Sequence, residues 1–264
     1  MRGGLYHSLE DNLFVDIDYP AEITALIGSA QPWLDFCNLP QELKNQMVFP
    51  NNPIDATGTG YFLRSKKEGR EDKEYFHAYG NLFELAQESG KSKVIEQNPK
   101  LKDFFEYAVN VHDVAHQFAL TIGRQLGETN SELLNLINTG KVNSLLRFLH
   151  YTNDDQTDVI AAQHFDRSLY TLHLYESASG LQFLDWNMQW SDAPIGAGKT
   201  VVFNGYRLEE LTKGETQKTW HRVVQKDGAR DRVSMVLFVW TEAVESYPTE
   251  ARSQDLTPSY APRA

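Results

Sequence analysis

After Gly140 the chain breaks into short runs rich in β-branched and aromatic residues: 145–151, 159–165, 169–175, 181–186, 200–203, 219–224 and 233–240. They recur at roughly the 8–12-residue spacing of a sandwich or barrel, with turn pairs such as Asn187-Met188 and Asp227-Gly228 that read as hairpins. No run of this kind can bury its apolar face alone, so the strands must close into two facing antiparallel sheets. The expectation is a mainly β fold: a double-stranded β-helix (a jelly roll of the cupin type) packed against a helical layer, an architecture that encloses a small-molecule pocket.

The helical layer precedes it. Leu101, Phe104, Phe105, Ala108, Val109, Ala115, Phe118, Ala119 and Ile122 keep helical spacing over about seven turns. A second helix is expected from Ser131 through Ile137, closed by Gly140 as its C-cap. Upstream, residues 1–95 are mixed, with a short helix starting at Leu39-Pro40-Gln41-Glu42-Leu43-Lys44 and turns at Asn51-Asn52-Pro53 and Thr57-Gly58-Thr59-Gly60. The 1–95 segment and the 96–264 helical and jelly-roll core are read as one structural domain, with an irregular tail from Glu245.

Composition excludes several classes. The formal charge of −11 disfavours nucleic acid and anionic membrane, both of which reward basic patches. Cys37 is the single cysteine, no apolar stretch approaches the length of a membrane span, and the N-terminus has no apolar run behind Arg2. The expectation is a cytoplasmic protein with a small-molecule substrate, and with neither nucleic acid nor membrane as partner; oligomeric state is left open.

Three motifs mimic known sites. Gly196-Ala197-Gly198-Lys199-Thr200 ends like a phosphate loop but has Ala193 where glycine is needed, and it precedes a strand. His112-Asp113-Val114-Ala115-His116 resembles a zinc-protease helix with Asp in place of the general-base Glu, one methylene too short. Thr57-Gly58-Thr59-Gly60 precedes no helix. All three read as scaffold.

The remaining constellation is different. His164-Phe-Asp166 and His221 lie on strand-like stretches, and alternation points His164 and Asp166 the same way. Two imidazoles and a carboxylate are the set that leaves an octahedral metal with an open face, as in non-haem Fe(II) oxygenases. Arg232-Val-Ser234 puts a guanidinium fork and a hydroxyl on one face, suited to a carboxylate. It follows His221 at a hairpin's distance, so the two strands are expected side by side.

With these residues, the chain resembles the isopenicillin N synthase-like group of Fe(II)/2-oxoglutarate dioxygenases. The resemblance covers most of the chain. It includes the Arg147–Tyr151 strand, Ser168-Leu-Tyr-Thr171, Gly180-Leu181-Gln182, Trp190, Val202-Phe203-Asn204-Gly205, Leu211-Thr212-Lys213-Gly214 and Trp220-His221-Arg222-Val223-Val224. Nearer the N-terminus, Leu39–Lys44, Gly60-Tyr61 and Lys73-Glu74-Tyr75-Phe76 also match. It implies that His164, Asp166 and His221 hold Fe(II), with 2-oxoglutarate and O2 as co-substrates. It further implies that Arg232, Ser234 and Tyr151 grip the far carboxylate of 2-oxoglutarate, and that a small organic molecule is oxidised with release of succinate and CO2. Two departures stand out: the group's Arg-x-Asn-Tyr-Tyr strand reads Arg147-Phe-Leu149-His150-Tyr151 here, where Leu149 loses a polar group and His150 is expected to face outward, and the tail after Trp240 is short. The alternatives are a same-fold Fe(II) oxidase that does not use 2-oxoglutarate and a non-catalytic ligand sensor. Tyr61, Phe62, Phe76, Tyr170 and Phe238 are the candidate substrate walls, and Arg64 or Arg207 could meet an acidic substrate.

Overall fold

The computed structural model describes residues 4–49, 58–64, 73–152, 159–195, 198–226, 231–241 and 257–260. The Asn51-Asn52-Pro53 turn, Thr57, Gly196-Ala197, Asp227-Gly228 and most of the tail lie outside the described residues. The N-terminal segment runs α1 (Leu5–Asn12), β1 (Phe14–Asp18), α2 (Ala21–Ile27), α3 (Gln31–Cys37), α4 (Gln41–Asn45), β2 (Val48–Phe49), β3 (Thr59–Arg64), β4 (Lys73–Ala78), α5 (Leu82–Glu88) and α6 (Ser92–Gln97). The expected long helix is α7 (Pro99–Gly127). It starts where Asn98 Oδ1 accepts the Leu101 amide at 3.2 Å, with Pro99 in the first turn, where its missing N–H costs nothing. α8 (Ser131–Asn138) is capped in the same way by Asn130 and is followed by Gly140 at φ 69°.

The strands that follow are β5 (Val142–Thr152), β6 (Val159–His164), β7 (Tyr170–Glu176), β8 (Leu181–Leu184), β9 (Trp190–Asp192), β10 (Lys199–Asn204), β11 (His221–Val224) and β12 (Asp231–Thr241), with α9 (Tyr206–Leu211) after β10. They form an eight-stranded sheet, β1-β10-β7-β12-β5-β4-β3-β2, facing a four-stranded sheet, β6-β11-β8-β9. Every pairing among the described strands is antiparallel. This is the double-stranded β-helix with a helical layer. The N-terminal strands join the same large sheet: β3 and β4 extend it beyond β5, and β1 closes its other edge against β10. β2 and β3 meet at Gly60, where φ is +94° and an added Cβ would stand 2.0 Å from the Met47 carbonyl oxygen, so only glycine fits.

One expectation is corrected. β11 and β12 do not lie side by side: β11 pairs with β6 and β8, and β12 pairs with β5 and β7. The chain between them crosses from one sheet to the other, so His221 and Arg232 approach a common space from opposite walls. A jelly roll requires this, because successive strands must feed both sheets to close the core.

The two faces of the large sheet do different work. On its outer face Leu146, Phe148, Val233, Met235, Leu237 and Val239 join α3 and α7 in the main core, around Trp33, Phe36, Phe76, Phe104 and Phe105. Trp33 Nε1 donates to the Leu149 carbonyl oxygen, so the largest buried side chain is also satisfied. A smaller apolar cluster, including Leu149, Ile160, Leu181, Phe203, Val223 and Val236, fills part of the space between the sheets. What it leaves open is a cavity of about 160 Å³.

Candidate metal and co-substrate site

His164 is the last residue of β6, Asp166 stands in the extended link just after it, and His221 opens β11 directly opposite His164. One ligand atom from each of the three lies within 4.8 Å of the others. The local structure fixes which atoms these are. His164 Nδ1 lies 2.7 Å from the Ala162 carbonyl oxygen and His221 Nδ1 lies 3.2 Å from that of Thr219. Each Nδ1–H donates to a carbonyl, which leaves both Nε2 lone pairs free to coordinate. Asp166 is oriented in the same manner: Thr171 Oγ1 donates to Oδ2 at 2.7 Å and Ser168 Oγ stands 2.9 Å from Thr171, while Oδ1 is 3.8 Å from His221 Nε2. Burial, then the neighbouring His221, push the His164 pKa down to about 4, so this imidazole is unprotonated at neutral pH. Two imidazole nitrogens and an oriented carboxylate suit a divalent first-row metal such as Fe(II).

The cavity beside this triad is lined from the large sheet by Arg147, Leu149, Tyr151, Arg232, Ser234, Val236 and Phe238. Strand alternation selects them, since β5 and β12 send every second side chain inward. Arg232 pairs with Tyr151 and Ser234 with Leu149 in the ladder, so the fork, hydroxyl and phenol expected to act together are adjacent. Arg232 is buried, and its environment holds a group the sequence did not reveal. Nη2 donates to Glu176 Oε2 at 2.6 Å, Nε donates to the Ala178 carbonyl oxygen at 3.0 Å, and Nη1 is 3.5 Å from Ser234 Oγ. Burial works against ionisation of Glu176, but His173 and Arg232 outweigh it and lower its pKa.

Glu176 reaches Arg232 because of a β-bulge. Ser234 faces Glu176 and Met235 faces Tyr175, but Val236 faces His173, so Leu174 is the extra residue. Strict alternation would put residues 173 and 176 on opposite faces. The bulge brings both to the cavity side, with His173 Nε2 3.4 Å from Glu176 Oε2. The sequence carries no signal for this.

The five candidate substrate walls divide sharply. Phe238 lines the cavity. Tyr61, Phe76 and Tyr170 do not: all three sit in the main core on the helix side, with Tyr61 Oη donating to Glu74 at 2.9 Å and Tyr170 Oη to the Ala119 carbonyl oxygen at 2.7 Å. Phe62 stacks on Tyr75 and is not among the cavity-lining residues. Period two again decides, since Tyr61, Phe76 and Tyr170 are phased with the apolar face of the sheet. Arg64 lines the cavity, whereas Arg207 pairs with Glu210 at 3.1 Å on the surface. His150 points away from the cavity but not to solvent: it is buried, with Nδ1 2.8 Å from Glu74 Oε1, in a network with Lys44 and Tyr61. In the zinc-like helix motif, His112 and His116 stack on each other and meet Ser144 from α7, which makes them struts between helix and sheet.

Residues 142–240 match the model of the 2OG-Fe(II) oxygenase superfamily. That match runs through the jelly-roll strands from β5 into β12. Solved structures resemble the chain far beyond that segment. The Neurospora crassa T7H structure in complex with alpha-KG and thymine superposes with a TM-score of 0.68 at 18% identity, covering 90% of this chain and 78% of that one. AtDAO1 of Arabidopsis thaliana, a dioxygenase for auxin oxidation seen as a 2-oxoglutarate binary complex, gives 0.67 at 16% identity over 89% and 86%. A Shewanella oneidensis crystal structure gives 0.65 at 24% identity over 89% and 85%. Among curated proteins, none matches the chain by sequence. These likenesses show that the shared fold takes in the N-terminal strands and helices as well as residues 142–240.

Proposed function

We propose that the protein is an Fe(II)/2-oxoglutarate-dependent oxygenase of a small organic molecule, with His164, Asp166 and His221 as the metal ligands. The observation that carries this reading is the convergence of those three ligand atoms on one cavity with a buried Arg232, Ser234 and Tyr151 on the facing wall. Bound iron would supply the O2 chemistry that couples decarboxylation of 2-oxoglutarate to oxidation of a C–H bond. The chain's own residues do the positioning. Nη1 of Arg232, the Ser234 hydroxyl and the Tyr151 phenol would hold the far carboxylate, a charge-assisted grip with a fixed direction. Leu149, Val236, Leu181 and Val223 wall the space between and keep it dry, which strengthens every charge interaction inside. Thr171 and Ser168 keep the Asp166 carboxylate aimed at the position the metal would take. A cytoplasmic location fits the single buried cysteine, and among the described residues no helix is long and apolar enough to cross a membrane.

The test is anaerobic. Adding Fe(II) and then 2-oxoglutarate should produce a weak metal-to-ligand charge-transfer band that saturates at one equivalent. Arg232→Ala should raise the 2-oxoglutarate concentration at half saturation tenfold or more while iron still binds, and Asp166→Ala should lose the iron. A protein that binds iron but shows no band contradicts the co-substrate assignment.

A further inference from the structure

Two guanidinium groups of the large sheet, those of Arg147 and Arg232, line the cavity. Among the described residues the lining also includes Arg64, Lys73 and the carboxylate of Asp166. Arg232 has its own counter-charge in Glu176. Arg147 does not. Its Nε donates to His77 Nε2 at 2.9 Å, and His77 Nδ1 is 3.1 Å from the Gly58 carbonyl oxygen. That places the proton on Nδ1 and makes Nε2 the acceptor, so the partner that orients Arg147 is a neutral imidazole. Burial first, then Arg147, Lys73 and Arg64, press His77 further towards that neutral form. The guanidinium lies over the Phe238 ring at 4.7 Å, which fixes its plane. Neither of its Nη atoms has a hydrogen-bond partner among the described residues.

Position separates this fork from the first. Arg147 faces Val236 in the ladder while Arg232 faces Tyr151, four residues along both strands. At ~3.3 Å per residue their backbone positions stand about 13 Å apart along the sheet. 2-Oxoglutarate, held by Arg232 and the metal, occupies the one end. At the other end Arg147 has no ion-pair partner among the described residues. A buried, oriented guanidinium with two unused donors is built for a carboxylate.

We infer that the primary substrate is a small organic acid whose carboxylate binds Arg147, at the end of the cavity away from Arg232. The inference rests on the oxygenase reading above and extends it to a substrate class. The wall formed by Phe238 then receives the apolar part of the acid and turns it towards the metal.

The test uses the iron-loaded enzyme with saturating 2-oxoglutarate and three acids, hexanoate, phenylacetate and benzoate, each against its primary amide. Succinate release on admitting O2 is measured as a function of each compound. At least one acid should stimulate release, with half-maximal effect at a concentration at least tenfold below that of its amide. Arg147→Gln should erase that preference while shifting half saturation by 2-oxoglutarate less than twofold, and Arg147→Lys should restore part of it. Amides matching acids, no response to any acid, or an acid preference that survives Arg147→Gln would each overturn the inference. The charge-transfer band, recorded on the same wild-type and variant samples, reports folding and the oxygenase reading separately: band present with no acid preference sinks the inference alone, and band absent sinks the reading beneath it.

Discussion

Glu176 and His77 show how two arginines in one cavity are given different tasks. Arg232 is held by an anion and Arg147 by a neutral ring, at 2.6 Å and 2.9 Å. Breaking a buried pair leaves its survivor charged and unpaired, which costs about 3–5 kcal/mol. Glu176→Gln should therefore lower stability by about that much in the absence of ligand, measured by chemical denaturation. Because the carboxylate of 2-oxoglutarate would replace the lost counter-charge, the co-substrate should raise the denaturation midpoint of Glu176→Gln more than that of wild type. Equal ligand-induced shifts would place the co-substrate elsewhere. His164, Asp166, His221, Arg232 and Ser234 could be picked out as candidates from their side-chain chemistry, and the structure brings them to one cavity. Glu176 could not, since its place depends on the extra residue at Leu174, and a bulge leaves no mark in local composition.

At the level of elements, legibility followed periodicity. α7 declared itself because a helix of 29 residues repeats its apolar face many times, and Phe104 is the clearest instance. Phe104 packs its ring against Trp33, Phe36, Phe76 and Phe148 and is fully buried. Phe104→Ala should cost about 3–5 kcal/mol and lower the unfolding midpoint without altering the metal-binding stoichiometry, since the ring lies on the far face of the sheet from the triad. A loss of iron binding in the folded variant would show that helix and site are not separable in this way. One short element escaped the sequence: β1 carries too few residues to fix a phase, and its partner β10 is distant in the chain. The same short reach explains the misplaced aromatics. Tyr61 and Phe76 are directly paired across β3 and β4, but nothing local says which face of that pair meets the helices.

Across the whole molecule, two sheets bring the proposed metal ligands and the two arginines Arg147 and Arg232 to opposite walls of one cavity. The strands that carry His164 and His221 belong to the small sheet, and those that carry Arg147 and Arg232 belong to the large one. Sequence order made the two motifs look like neighbours on a hairpin, while the fold sets them face to face, as an enzyme that joins a metal-bound reactant to a held carboxylate requires. The most direct measurement is a single turnover. The anaerobic complex with one equivalent of Fe(II) and one of 2-oxoglutarate is mixed with O2, and succinate is counted per protein chain. Formation of succinate approaching one equivalent, abolished in Asp166→Ala and His221→Ala, is the expected result; iron-loaded wild-type protein that leaves 2-oxoglutarate intact would contradict it.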